Sequence, residues 1–599
     1  MRRLLAPLTA LLLLALAPAA QAGWYAAEPV DGPGEIEALG DVDLARDGSG
    51  GLVYLKRDAG VPQVFLSRLD DGVFQPPEKL SAGEPATEAA VTATDGGRLA
   101  VAWVAGGQVL GTVIPAAGRA QAPAPPVVLG GGGATGVSID MGINEDGYAV
   151  WSAGGDVHAA RLDDTTWTPL GAPLDVDAAR QAGQGASRPR VAVSAEGNAV
   201  ATWAETDAAG RSHVMARRLT GLTPSSFPQD LTLDTFEGQA AGGADSPDID
   251  IEDDGSFAWV AFRQDAGGRS RTVARRLRGS QFEDPSAIDA GSTSASPRID
   301  FNGKGIGGAV AAADGNAVFS AYLDKFDAFQ AATRLDTTPS SAAPAPVVAT
   351  SERGDVYAAW RTGAGENGDV RARRKDGEKG FEPEFVASAP QYGAVALGQV
   401  AIGADRSGNS VVAMLQGLGA GRRITAAVYD RVPGRPVVLS SIRYRARKPL
   451  IKWLVGSENW GRQRFTVRVD GKVLGRTTSN SLVSPRPLGK GLHRYQVIAT
   501  DRRGQVSKSR TRTFRVDPGL PVLKITVGRR GRRVTVSTVA RDRGPAGLDY
   551  VQIDWGDGSR KLRRRSAVHS YKKGRFTLKV TAADKAGNLT VKRKALRIP

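Results

Sequence analysis

Four histidines, His158, His213, His493 and His569, are the whole imidazole complement of a 599-residue chain that has no cysteine. No two of them stand at Glu-x-x-His or His-Glu-x-x-His spacing, the arrangements that place zinc ligands on one helix face. There is no thiolate nucleophile, and no Gly-x-Ser-x-Gly supplies a nucleophile elbow. Gly130 to Gly133 reads as a loop, because no helix carrying a lysine follows to complete a phosphate cradle. The densest acidic run is Asp248-Ile-Asp-Ile-Glu-Asp-Asp-Gly255, with Asn144-Glu-Asp-Gly147 as a shorter version. Clustered carboxylates in a tight turn suit a hard cation such as calcium. Related turns carry Arg353 or Ser407 in place of the acid, however, and turn formation alone explains the Asp-Gly pairs. No metal, no cofactor and no catalytic residue is therefore expected.

The basic residues are the stronger signal. They gather in Arg529-Arg530, Arg532-Arg533, Arg563-Arg564-Arg565 and Lys572-Lys573. From Val437 to Pro599 there are 40 Lys and Arg against 9 Asp and Glu, whereas Gly23 to Pro436 holds 36 basic and 53 acidic residues. A strongly basic tail follows an acidic main body. Such asymmetry concerns partners rather than fold. Cationic side chains gain by counterion release on any polyanion, whatever its sequence. Arg563, Arg564, Arg565, Lys572 and Lys573 are the candidate contacts to an anionic wall polymer or polysaccharide. Specific nucleic-acid recognition is not expected, because Tyr571 and Phe576 look committed to a core rather than to base stacking.

The main body that precedes the tail is repetitive. A turn carrying Gly recurs at Asp47-Gly48, Asp95-Gly96, Asp146-Gly147, Glu196-Gly197, Asp254-Gly255, Asn302-Gly303, Arg353-Gly354 and Ser407-Gly408, a period of about 51 residues. An apolar strand follows each turn and often ends in an aromatic, as in Ala100-Val-Ala-Trp103, Tyr148-Ala-Val-Trp151 and Ala199-Val-Ala-Thr-Trp203. A third strand comes next, for example Val157-His-Ala-Ala-Arg-Leu162 or Val214-Met-Ala-Arg-Arg-Leu219, and then an outer aromatic such as Phe74, Trp167, Phe227, Phe282 or Phe381. Four strands per repeat make an antiparallel sheet that cannot bury both faces alone, and radial repetition buries them. The pattern resembles a β-propeller of seven or eight blades, with eight copies counted. In the sixth, Asp314-Gly315 competes with Asn302-Gly303 for the turn. One copy is expected to be split across the ring closure and completed by residues near Glu35 to Leu39. The sialidase Ser-x-Asp-x-Gly-x-Thr-Trp box is missing, Ser194 to Trp203 being a loose echo, and so is the WD40 signature. The resemblance is therefore architectural.

The N-terminus reads as a secretory signal. Arg2 and Arg3 precede an apolar run from Leu4 to Ala17, and Ala20-Gln21-Ala22 is a small-x-small cleavage site. Residues 1–22 are the expected signal peptide and Gly23 the expected mature start. No later apolar run reaches the roughly 20 residues of a membrane span. The lack of cysteine and the Ala, Gly and Arg usage point to a bacterial exported protein.

The tail divides in two. In 437–517, Gly491-Leu-His493 and Ala499-Thr-Asp501 resemble bacterial immunoglobulin-like modules, and Phe514-Arg-Val-Asp-Pro518 resembles the joint to a next module. In 518–599, Ile553-Asp-Trp-Gly-Asp-Gly-Ser559, His569-Ser-Tyr571 and Asp584-Lys-Ala-Gly-Asn588 resemble a PKD domain. That resemblance implies a sandwich in which Trp555 packs in the core and Asp557 shapes a turn, acting as a spacer or as a binder of glycan or protein. The expected protein is all-β: a propeller-like repeat domain over 23–436 followed by two β-sandwiches. It is expected to be monomeric, secreted or cell-surface, and to bind rather than to catalyse. The propeller would be a recognition surface and the tail an electrostatic tether. The alternative is a propeller glycosidase or polysaccharide lyase, which needs convergent carboxylates, or a Tyr/Arg/Glu set, at one channel mouth.

Overall fold

The computed structural model describes residues 23–599 except 117–122, 176–179, 226, 228–231, 237–242, 254, 290–293, 315–316, 325–327, 338–343, 364–367, 378, 440–443, 457–459 and 462. The expected signal peptide, Asp254 and Gly315 lie outside the described residues. Two compact units are present, Ala22–Arg431 and a C-terminal one from Val432 to Pro599.

The first unit is built from antiparallel sheets, eight among the described residues, each of four or five strands. The third sheet is typical: Thr135–Met141, Gly147–Ala153, Asp156–Asp163 and Thr166–Pro169 pair in chain order. The innermost strands are Ile36–Leu44, Ala86–Thr94, Thr135–Met141, Arg190–Val193, Ala244–Ile251, Ser294–Phe301, Val347–Thr350 and Val395–Ala404. Each lies against the next, and the last lies against the first, so the series closes into a propeller-like ring. Second strands are buried on both faces, as in Arg98–Ala105 and Gly147–Ala153, because they sit between neighbouring sheets. The core is accordingly a chain of clusters, each shared by two consecutive sheets. Trp103 belongs to the cluster of the first and second sheets, Trp151 to that of the second and third, and Trp203 to that of the third and fourth.

Three details differ from the sequence reading. Residues near Glu35 to Leu39 do not complete a split sheet, since Ile36–Leu44 opens the first one. The last sheet is completed by Gly23–Gly34, which runs antiparallel to Arg422–Asp430 with Gly23 opposite Asp430. Trp24 anchors this outer strand, its ring centroid lying 6.0, 5.9 and 5.4 Å from those of Tyr357, Phe385 and Tyr429. In the third repeat Glu145 (φ 71°) takes the left-handed position, and Gly147 instead starts the next strand. In the sixth, Gly305 (φ 71°) serves rather than Gly303, and Asp314 belongs to the following hairpin, so the two turns do not compete.

The C-terminal unit holds two pairs of packed sheets with separate cores. Trp453, Phe465, Tyr495 and Phe514 centre the first, and Val534, Ile553, Trp555, Tyr571 and Leu578 the second. Tyr571 donates its hydroxyl to the Trp555 carbonyl at 2.8 Å, and Asp557 accepts from Ser559 within its turn and bonds His569 on the strand Ser566–Ser570.

Candidate functional sites

An innermost strand has one ladder edge facing the channel, where its N–H groups lack a strand partner. Carboxylates of the preceding sheet supply the missing acceptors. Asp43 accepts from Ala93 N–H at 2.8 Å and Asp140 from Val193 N–H at 2.6 Å. Asp248 and Asp250 accept from Ile299 and Phe301 at 2.9 and 2.7 Å, and Asp300 accepts from Thr350. Glu88 does the same for Gly136 at 2.9 Å. Every one of these bonds joins residues about one repeat apart in sequence. Within the run that begins at Asp248, Asp248 and Asp250 are therefore engaged by backbone donors. Strand alternation turns Asp248 and Asp250 toward the next sheet, while Asp253 pairs with Arg46.

Asp43, Asp140, Asp250 and Asp300, and Asp41 beside them, are costly to ionise. Burial pushes Asp41 up to about 6, with repulsion from Asp43 adding to it. Burial likewise brings Asp140 to about 7, despite the Val193 N–H, with Asp43 repelling it across the channel. Asp43, Asp250 and Asp300 are also raised, burial again being the largest cause. Perturbed carboxylates in a cleft can mark a general acid or base. Here Asp43, Asp140, Asp250 and Asp300 each hold a backbone N–H of the next sheet, which accounts for their position structurally.

Beside this acid ring the channel opens into a cavity of about 540 Å³. Pairing there is irregular. Register shifts fall at Leu39/Asp41, Ala86/Glu88, Thr135/Ser138, Asp245/Asp248, Ala295/Arg298 and Val395/Val400. Bulges of this kind re-aim side chains, and Glu88, Asp248, Arg298 and Gln399 line the cavity with Arg188 and Arg190. Arg190 lies 3.7 Å from Asp248 and Arg188 4.0 Å from Glu88. Arg298 donates to the Pro297 carbonyl at 2.8 Å. Burial, then the neighbouring Arg190 and Arg188, lower its pKa to about 10 against the pull of Asp248. None of the three arginines was singled out from sequence. The signal that finds this layer is a recurring x-Val/Ile-Asp triplet: Asp41-Val-Asp43, Ser138-Ile-Asp140, Asp248-Ile-Asp250 and Arg298-Ile-Asp300.

In the C-terminal unit the five predicted basic contacts are all exposed but fall into two groups. Arg563, Arg564 and Arg565 precede the strand Ser566–Ser570, and Lys572 and Lys573 follow it. Arg563 stacks on Tyr550 at 4.3 Å. Lys572 and Lys573 sit instead beside the hairpin that joins Val522–Arg530 to Arg533–Arg541, since Tyr571 N–H bonds the Arg532 carbonyl at 3.0 Å. At that end Arg530 is paired with Arg533, and Arg575 with Arg597. Like charges directly opposite are unfavourable unless counter-charge is supplied.

One acidic group was not anticipated. Asp517, Asp542 and Asp584 bring one oxygen each within 4.8 Å of one another. Their oxygens accept backbone N–H groups of Gly519, Ala546, Gly544, Ala586 and Asn588, and Asn588 also donates to the Asp517 carbonyl at 2.8 Å. The group thus ties the joint between the two tail cores together.

No protein-family model matches the chain, and no curated protein matches it. Among solved structures, the PKD1 domain of Vibrio anguillarum Epp aligns over 13% of this chain and 93% of its own, at 20% identity and a TM-score of 0.12. The Dos1 propeller aligns over 68% of this chain and 94% of its own, at 9% identity and a TM-score of 0.40. The six-bladed β-propeller lectin of Aleuria aurantia, whose structure describes fucose recognition, aligns over 55% and 87%, at 10% identity and a TM-score of 0.30.

Proposed function

We propose that this chain is a non-catalytic binding protein of the cell exterior. It is exported by cleavage after Ala22, and an eight-bladed propeller is carried on two basic sandwiches that tether it to an anionic wall polymer or polysaccharide. The observation that carries this reading is the one-signed tail surface. Arg529, Arg530, Arg532, Arg533, Lys572 and Lys573 gather at one end of the last sandwich, all exposed, with no carboxylate in ion-pair contact among the described residues. Arg563, Arg564 and Arg565 extend the surface from the other end of Ser566–Ser570. Against the glycosidase alternative, most of the channel carboxylates are engaged by backbone N–H groups of the adjoining sheet.

The test is retention of the full chain on an immobilised anionic polysaccharide as salt rises. Exposed charges are screened over about 8 Å at physiological ionic strength, so release at moderate salt is expected. Replacing Arg563, Arg564, Arg565, Lys572 and Lys573 by Gln should flatten the salt dependence while leaving the fold intact. Retention that ignores salt, or that survives the replacement unchanged, counts against the tether.

A further inference from the structure

The tail reading leaves the ring without an assigned ligand. We infer that the channel mouth binds an oxyanion, a carboxylate, sulfate or phosphate group on a compact polar molecule, through Arg188, Arg190 and Arg298. This inference is independent of the tether.

The three guanidinium groups line one recess of about 190 Å³ that branches from the cavity, with Gly185, Ser246 and Pro247 as its small walls. Three positive charges there face Glu88 and Asp248, both of which also accept a backbone N–H from the next sheet, while Asp41, in the same cavity, interacts with Arg190 without an ion-pair contact. Compensation is therefore partial. The buried Arg190 Nε forms no hydrogen bond and reaches Asp248 at 3.7 Å, and among the described residues the Arg298 guanidinium hydrogen-bonds the carbonyl of its own neighbour. Guanidinium groups held together despite mutual repulsion, in a unit that is acidic overall, form a preorganised anion site. Their planar forks match the two oxygens of a carboxylate, or two oxygens of a sulfate or phosphate.

The rest of the cavity limits what that anion is attached to. Among the described residues its lining contains no aromatic side chain, and so no stacking platform for a sugar ring or a base. Asp41 shares the cavity, and Asp43 follows on the same inner strand, so a polyanion threading inward meets like charge. A single anionic group entering from outside fits both features.

The experiment uses the full chain and three probes, sodium sulfate, sodium phosphate and sodium glucuronate, titrated calorimetrically against sodium chloride of matched ionic strength and against neutral glucose. At least one oxyanion is expected to bind and to raise the unfolding temperature, with chloride and glucose inert. Which of the three binds distinguishes the sources. Arg298→Gln and Arg190→Gln should each weaken that binding about 10- to 100-fold, the range for losing a charge-assisted hydrogen bond. Arg298→Lys keeps the charge and loses the fork, so it should retain part of the affinity. Lys304→Gln, an exposed turn lysine of the ring outside the recess, should leave it unchanged, which separates the recess from a general loss of positive charge. Without ligand, Arg298→Gln relieves repulsion and should melt no lower than the parent. The inference is overturned if all three oxyanions behave like chloride, or if Arg298→Gln binds as the parent does. It is equally overturned if Lys304→Gln loses the binding, or if Arg298→Gln destabilises the ligand-free ring.

Discussion

Acid should stabilise the ring. Asp140 accepts N–H groups from Met141 and Val193, yet burial and the facing Asp43 bring its pKa to about 7. An unfolded aspartate titrates near 4. Between these values the folded chain binds a proton that the unfolded chain has released, so the unfolded state gains as pH rises. The penalty is absent below about pH 4, grows through the window and is complete above about pH 7. From pH 5 to pH 8 the linkage relation assigns Asp140 alone about 2–3 kcal/mol, an upper bound because one side of the carboxylate meets the channel. Asp41, at about 6, adds roughly 1 kcal/mol in the same direction. Urea unfolding of the full chain at pH 5, 6.5 and 8 and fixed ionic strength reads this directly: stability of the Ala22–Arg431 transition should fall with pH. Asp140→Asn should remove its share of the slope, which separates Asp140 from other groups titrating in the same window. Stability that is flat or rises from pH 5 to pH 8 refutes the reasoning, and so does an unchanged slope in the variant.

Three further outcomes follow from packing and backbone geometry. Deleting Gly23–Gly34 exposes the edge of Arg422–Asp430, and light scattering should then detect association at concentrations where the parent is monodisperse. Trp203→Ala empties a site that is 0% exposed between the third and fourth sheets, and denaturation should report a loss of about 3–5 kcal/mol. Gly556 has φ +79°, and a Cβ there would lie 2.2 Å from the Thr577 carbonyl oxygen. Gly556→Ala should therefore lower the unfolding midpoint of the Val432–Pro599 unit by at least the roughly 1–3 kcal/mol of a strained backbone position, leaving the ring transition in place.

The ring was legible in sequence because its grammar is local. Gly48, Gly96, Gly197, Gly255, Gly354 and Gly408 all adopt the positive φ that their turns require, and the alternation that follows each turn is a short-range property of the strand. A sheet split across the closure is expected from the repeats and observed, but the segment that completes it is not legible, because pairing of Gly23 with Asp430 leaves no local trace. Asp248 and Asp250 stand out in sequence, but as candidate cation ligands, and Asp43, Asp140 and Asp300 do not stand out at all. Their actual partners are backbone N–H groups some fifty residues away, and a backbone donor has no residue type to recognise. Arg190 and Arg298 meet only because two sheets of the ring bring their inner strands to one cavity. The tail charge was visible as composition. Its division, with Lys572 and Lys573 beside the Arg529–Arg533 hairpin rather than beside Arg563 to Arg565, depends on which strand ends the sheet brings together.

The pairing of the first strand with the last also sets a timetable. A chain that is made N-terminus first delivers Gly23–Gly34 about 400 residues before Arg422–Asp430 exists to receive it. At roughly 5–20 residues per second the wait is on the order of 20–80 s, during which Trp24 and the opening strand have no native partner. Seven sheets can form from neighbouring segments in that interval, while the eighth cannot. Circularity thus makes the final residues of the ring a quality checkpoint. A truncated chain, or one stalled before residue 430, keeps an open edge and an unburied tryptophan, the surfaces on which chaperones and proteases act.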